Sequence, residues 1–219
     1  MAVPRAFLFD LNGTMIDDMG YHQKAWADIL NNDLGAGLSK EAVKREMYGK
    51  NSELLIRVFG EGRFSEAEMN SLSMEKERRY QQAYLPELRL IPGLDHFLER
   101  AQQQGTLMAI GSAAITFNID FVLDNLSIRR YFSAIVSADD VKISKPNPET
   151  YLRLAAMLQV KPSECLVFED APKGVEAAAN AGMQSVVITT MHEPAEFAAY
   201  NNIWGFIENY HDKRLEGLF

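Results

Sequence analysis

Phe7 to Asp18 reads FLFDLNGTMIDD, and the fold turns on how this stretch is read. The apolar run from Ala6 to Phe9 stops at an acid, Asp10; Asn12, Gly13 and Thr14 then form a turn-prone cluster before the chain becomes apolar again. Four apolar residues bounded by turn formers predict a short buried strand that delivers one carboxylate to its C-terminal end. Where a second acid would be the natural partner for catalysis stands an amide, Asn12.

Working outward, five more short apolar runs predict strands: Leu107–Ile110, Ala134–Val136, Leu166–Phe168, Ser185–Ile188 and, less sharply, Ile203–Ile207. From Leu107 onward, helical patterns separate them. Ile119, Val122, Leu123 and Leu126 follow the i, i+3, i+4, i+7 spacing of an amphipathic helix. A second helix is expected to open at Pro148 with Asn147 as its cap, and a third to run through Val175–Ala181 and close at Gly182. Strand–helix alternation of this kind predicts an α/β fold with a parallel sheet covered by helices on both faces.

Residues from about Asp17 to Glu87 break the rhythm. No strand pattern occurs there; Met19, His22, Trp26, Ile29 and Leu30 share a helical face, Leu54, Ile56, Val58 and Phe59 are apolar, and Met69, Leu72, Tyr80 and Ala83 form another stripe. The expectation is a helical insert after the first strand, a lid above the strand ends where open α/β sheets bind ligands. The domain boundaries read as 1–16 with 88–219 for the sheet and 17–87 for the insert.

Composition sets bounds on the chemistry. At 219 residues, 47% hydrophobic and 24% charged, the chain can bury a full-sized core. A net charge of −8 and a pI near 5.1 argue against nucleic acid and anionic membranes as partners. Cys165 is the single cysteine, which excludes an intrachain disulfide and a cysteine-based zinc site. No apolar run reaches the ~20 residues of a spanning helix, and a cytoplasmic protein is expected, as a monomer or weak homodimer.

In a parallel sheet the C-terminal strand ends share one crevice, and here they carry complementary groups. The first strand ends at Asp10; Leu107–Ile110 leads into Gly111-Ser112, a hydroxyl expected at a helix start with free backbone N–H groups. Lys145 follows Ala134–Val136 within SKPNP, held out of a helix by the next proline. Leu166–Phe168 ends in Glu169-Asp170. Clustered carboxylates need a cation, and oxygen ligands suit Mg²⁺; lysine, serine and helix N-termini suit phosphate. A carboxylate facing a bound phosphate is a nucleophile for an aspartyl-phosphate.

The ordered set DLNGT (10–14), GS (111–112), K145 within KPNP and ED (169–170), with flanks YHQKAW (21–26) and FEDAPKG (168–174), resembles the haloacid dehalogenase superfamily, in its β-phosphoglucomutase-like phosphatase subgroup. The resemblance implies a Rossmann-like parallel-sheet core with an inserted helical cap domain, and Mg²⁺-dependent phosphoryl transfer on a small phosphate ester. It implies that Asp10 is the nucleophile, that Ser112, Ala113 and Lys145 hold phosphate, and that Asp10, the main-chain carbonyl of Asn12, Glu169 and Asp170 hold the metal. His22, Lys50 and Lys76 are its cap candidates for substrate contact. For His22 and Lys76 the alternatives stay open: a cap–core pair, or a packed histidine and a lysine that reaches solvent.

The resemblance puts an aspartate acid/base at position 12, and Asn12 departs from it. The amide spares a main-chain metal contact but removes proton transfer. An introduced substitution is favoured over a natural one in a poor catalyst or a binder, because every other motif residue is in place. Hydrolysis of a sugar phosphate is the first expectation. A β-phosphoglucomutase-type phosphohexomutase is the second, weakened by Lys50 standing where that branch has an arginine. A catalytically silent phosphate-binding protein is the third. The Glu169-Asp170 pair disfavours metal-free dehalogenation.

Overall fold

The computed structural model describes residues 3–219; Met1 and Ala2, assigned above to the sheet domain, lie outside the described residues. Six strands form one parallel sheet: β1 (Ala6–Phe9), β2 (Leu107–Gly111), β3 (Ala134–Val136), β4 (Cys165–Glu169), β5 (Gln184–Ile188) and β6 (Ile203–Ile207). Their order is β3-β2-β1-β4-β5-β6, so β1 is central and the strand order reverses at it. All six runs read from the sequence are strands, with β2, β4 and β5 longer by one or two residues.

Alternation along β1 explains how the sheet is covered. Ala6 and Leu8 point to one face and join Tyr151, Leu154 and Ala177, residues of α7 (Glu149–Met157) and α8 (Pro172–Asn180). Phe7 and Phe9 point to the other, where Phe9 stacks on Phe168 at 4.7 Å and Phe7 meets Phe97 at 5.2 Å. Phe97 belongs to α5 (Leu94–Gln103). Each of these rings is buried and together they make an apolar layer, the dominant favourable term in folding.

The helix expectations hold with local shifts. Gly182 has φ +74° and closes α8 as its left-handed terminal residue, its amide meeting the Ala179 carbonyl at 2.9 Å. Pro148 is the N-cap of α7 rather than its first residue, while Asn147 Oδ1 still accepts from the Glu149 amide at 3.0 Å. The helix after Ser112, α6 (Thr116–Asn125), starts four residues later than expected. Its start is set from across the loop: Asp139 Oδ2 accepts from the Thr116 amide at 2.9 Å, a cap that local spacing cannot announce.

The chain divides into two compact units, residues 3–17 with 89–219, and 18–88. The second consists of α1 (Met19–Ala27), a π-helical continuation over Asp28–Asp33, α2 (Lys40–Glu46), α3 (Asn51–Phe59) and α4 (Glu66–Tyr84). Its core joins Trp26, Ile29, Leu30, Val43, Leu54 and Leu55. Two residues expected on apolar faces, Ile56 and Ala83, are exposed; their neighbours Leu55 and Tyr84 are buried instead. The cause is helical phase: Leu54, Leu55 and Val58 lie at i, i+1 and i+4 on one side, and Ile56 falls outside it. Among the described residues, no helix is long and apolar enough to cross a membrane.

Candidate active site

Register brings the strand ends together. Phe9 lies opposite Ile110 on β2 and Phe168 on β4, so the next residue, Asp10, comes level with Gly111 and Glu169. The Asp10 amide continues the ladder to the Phe168 carbonyl at 2.9 Å. Beyond it the chain folds tightly, with Met15 N–H on the Leu11 carbonyl and Gly13 N–H on the Ile16 carbonyl, at 2.9 and 2.8 Å. Thr190 donates to the Gly13 carbonyl at 2.6 Å and Tyr210 to the Thr14 carbonyl at 3.0 Å. These bonds tie the turn to the ends of β5 and β6. Gly13 has φ +76°, and a Cβ there would overlap the carboxylate of Asp170, so only glycine permits both the turn and the approach.

Lys145 is the hub. Its ammonium donates to Asp10 Oδ1 at 2.6 Å, the Gly111 carbonyl at 2.9 Å and Glu169 Oε1 at 2.7 Å, which uses all three donors. Burial by itself would depress the lysine; the charges of Asp10 and Glu169 overcome it and hold Lys145 well above its ordinary value. Asp10, Glu169 and Asp170 are buried and each offers a carboxylate oxygen within 4.8 Å of the others. Three carboxylates against one ammonium leave two negative charges in excess, in a place where unpaired charge is costly. An all-oxygen donor set with that excess suits a hard divalent cation.

Ser112 is placed differently from expectation. Its amide is not free, since it donates to the Val136 carbonyl at 3.0 Å, and the residue precedes a loop rather than a helix. Its hydroxyl accepts from the Ala114 amide at 3.0 Å and lies 3.5 Å from Asn12 Oδ1, the outer limit of a hydrogen bond. Ala113, between them, is exposed. Asn12 is half-buried.

The other candidates fall in the helical unit. His22 on α1 and Lys76 on α4 meet at 2.6 Å, Nδ1 to Nζ. The lysine does not reach solvent, being only 2% exposed, because Glu77 receives it at 3.0 and 3.1 Å and the indole of Trp26 lies 5.5 Å away. With the ammonium donating to Nδ1, the His22 proton sits on Nε2, 3.2 Å from Asp18 Oδ2. Tyr80 donates to that same oxygen at 2.5 Å. Desolvation lowers the Lys76 pKa against the pull of Glu77. Lys50 precedes α3; its amide meets Glu53 Oε2 at 2.8 Å, and its neighbour Asn51 bonds Glu77 Oε1 at 2.7 Å.

Residues 4–182 match the haloacid dehalogenase-like hydrolase family. The chain belongs to this family. Among its relatives, the fructose-1-phosphate phosphatase YqaB of Escherichia coli K12 is 31% identical over 82% of this chain and 93% of its own. The β-phosphoglucomutase of Bacillus subtilis is 33% identical over 83% and 82% respectively. The crystal structure of β-phosphoglucomutase from Clostridium difficile superposes with a TM-score of 0.83 at 26% identity, covering 98% of this chain and 95% of that one.

Within this candidate site, sequence reasoning missed the group that Tyr151 supplies. Tyr151, fully buried, donates to Glu169 Oε1 at 2.8 Å. A tyrosine in phase with Leu154, Ala155 and Leu158 reads as core, and core it also is. The usable signal was its place on the first turn of the helix that follows Lys145. Gly174, the last residue of the FEDAPKG flank, makes room for this carboxylate: a Cβ there would overlap Glu169.

Proposed function

We propose that this haloacid dehalogenase-like protein hydrolyses a small phosphate monoester, a sugar phosphate, through an aspartyl-phosphate on Asp10. The observation that carries this reading is Lys145 Nζ at 2.6 Å from Asp10 Oδ1, beside the buried carboxylate of Asp170. An oxygen of Asp10 attacks phosphorus as the bond to the sugar oxygen breaks; the leaving alkoxide takes a proton from water, and a second water then hydrolyses the acyl phosphate, releasing inorganic phosphate and restoring the Asp10 carboxylate. Lys145 offsets the repulsion between the attacking carboxylate and the incoming dianion. Asp10, Glu169, Asp170 and the main-chain carbonyl of Asn12 would make up the Mg²⁺ site. When bound, the ion supplies positive charge to the phosphate oxygens. Ser112 and Ala113 are assigned to the phosphate.

Residue 12 is where this chemistry is weak. A carboxamide cannot hand a proton to the leaving oxygen or take one from water, and losing a general acid/base costs ~10²–10⁴-fold in rate. That is roughly 3–5 kcal/mol of barrier. Asn12→Asp is therefore expected to release phosphate from sugar monophosphates at least tenfold faster in the presence of Mg²⁺. Equal rates for the two forms would defeat this account of Asn12, and no turnover in either form would leave a silent phosphate binder.

Substrate selection is assigned to the helical unit as a cap, with His22, Lys50 and Lys76 as its polar candidates. The charge of Lys76 is balanced by Glu77, which favours a neutral, hydroxyl-bearing group over a second phosphate. Lys50 offers a point charge, not a planar bidentate clamp. The identity to B. subtilis β-phosphoglucomutase supports a second reading, phosphohexomutase. Isomerised sugar that depends on a bisphosphate, with little free phosphate, would select that second reading.

A further inference from the structure

One buried polar side chain beside the site has no part in the mechanism so far. The Tyr151 phenol is fully enclosed, and a buried hydroxyl needs an acceptor. It takes Glu169 Oε1 at 2.8 Å, the same oxygen that receives Lys145 at 2.7 Å. The second oxygen, Oε2, accepts from the amides of Asp170 and Ala171 at 3.1 and 3.2 Å. A carboxylate offers about four lone-pair sites, and four donors occupy those of Glu169. The ring itself flanks the ammonium, with Nζ 4.9 Å from its centroid. Gly111 permits the fit, since a Cβ there would already stand 3.4 Å from Tyr151 Cε1 and closer still to Leu154 and Thr150.

We propose that Tyr151 is a positioning residue for phosphoryl transfer: it anchors Glu169 as the strut that holds Lys145 on Asp10, leaving Asp10 and Asp170 as the carboxylates that bind the metal directly. The inference rests on the reading of Asp10 as nucleophile. Lys145 is suspended between two carboxylates at nearly equal distance, 2.6 and 2.7 Å, so its position is a balance. A second donor on Glu169 Oε1 fixes that oxygen in place and draws on its electron density, which limits its pull on the ammonium. Without the hydroxyl, Glu169 is free to turn and Lys145 to follow it away from Asp10.

Two experiments test this. In the Asn12→Asp background, Tyr151→Phe is expected to lower kcat about tenfold with KM changed less than threefold. Added to Glu169→Gln, it should do no further harm, the non-additivity of residues acting through one another. Unchanged kcat, or losses that multiply, would overturn the proposal. In the second, Mg²⁺ affinity is measured by calorimetry without turnover: Glu169→Gln should stay within threefold of the parent while Asp170→Asn loses at least thirtyfold. Equal losses would make Glu169 a direct ligand and overturn it too. If Asn12→Asp releases no phosphate, the proposed function fails by itself, and the calorimetric comparison still decides the role of Glu169. The same comparison decides if Tyr151→Phe melts without a cooperative transition.

Discussion

Gly13 concentrates the local constraint of the site in one residue. Its left-handed backbone makes the turn after β1, and its missing side chain leaves room for Asp170. Gly13→Ala would meet both obstacles, so it is expected to cost about 1–3 kcal/mol of stability and to weaken Mg²⁺ binding at least tenfold, read by urea denaturation and calorimetry. A variant as stable and as metal-competent as the parent would show that the turn can relax. At this scale legibility was uneven. Asp10, Glu169 and Asp170 stood out because acids ending apolar runs have few structural uses. Ser112 was found, but its committed amide was not foreseen, because its partner Val136 is on another strand. Tyr151 passed as core because its polar tip is one atom on a large apolar ring.

Between elements, the informative contact is α1 against α4. A lysine in the middle of a buried stripe is tolerated there because Glu77, its chain neighbour, turns back onto it, while His22 and Asp18 extend the hydrogen-bonded chain to Tyr80. Breaking a buried pair from one side leaves a bare charge, at a cost of about 3–5 kcal/mol, whereas replacing both members by apolar residues is often neutral. Glu77→Ala should therefore destabilise by that amount, and Lys76→Met combined with Glu77→Leu by much less, in denaturant titrations. Comparable losses would indicate that packing, not charge, holds the two helices. The alternation of strands and helices was legible because apolar periodicity is a local property. Helix starts were less so: Asp139 caps α6 from outside its own segment.

At the scale of the molecule, both units store protons more tightly folded than unfolded. Tyr80 in the helical unit and Tyr210 in the sheet unit are both raised above their ordinary value of 10.0, chiefly by burial and then by nearby carboxylates. Above pH 10.0 the unfolded tyrosines lose protons that the folded ones keep, so stability falls with rising pH, by about 1.4 kcal/mol per unit for each retained proton. Lys76, depressed by burial, acts in the opposite sense, but only below its ordinary 10.5. Past pH 10.5 nothing from it opposes the decline, and Lys145, raised by Asp10 and Glu169, adds to it. Denaturation curves between pH 9 and 11.5 should show a steepening loss (about one unit in either direction sets the window), shallower in Tyr80→Phe. An unaltered slope in that variant would exclude Tyr80 as a contributor.

The polypeptide leaves the sheet and comes back at a single stitched point: Ile16 pairs with Leu90, and the Ile91 amide reaches the Met15 carbonyl at 2.8 Å. Entry and exit are thereby fastened side by side, so the excursion from 18 to 88 begins and ends on one pair of neighbouring residues. A segment of different length or sequence joined between those two residues would leave the register of every strand as it is.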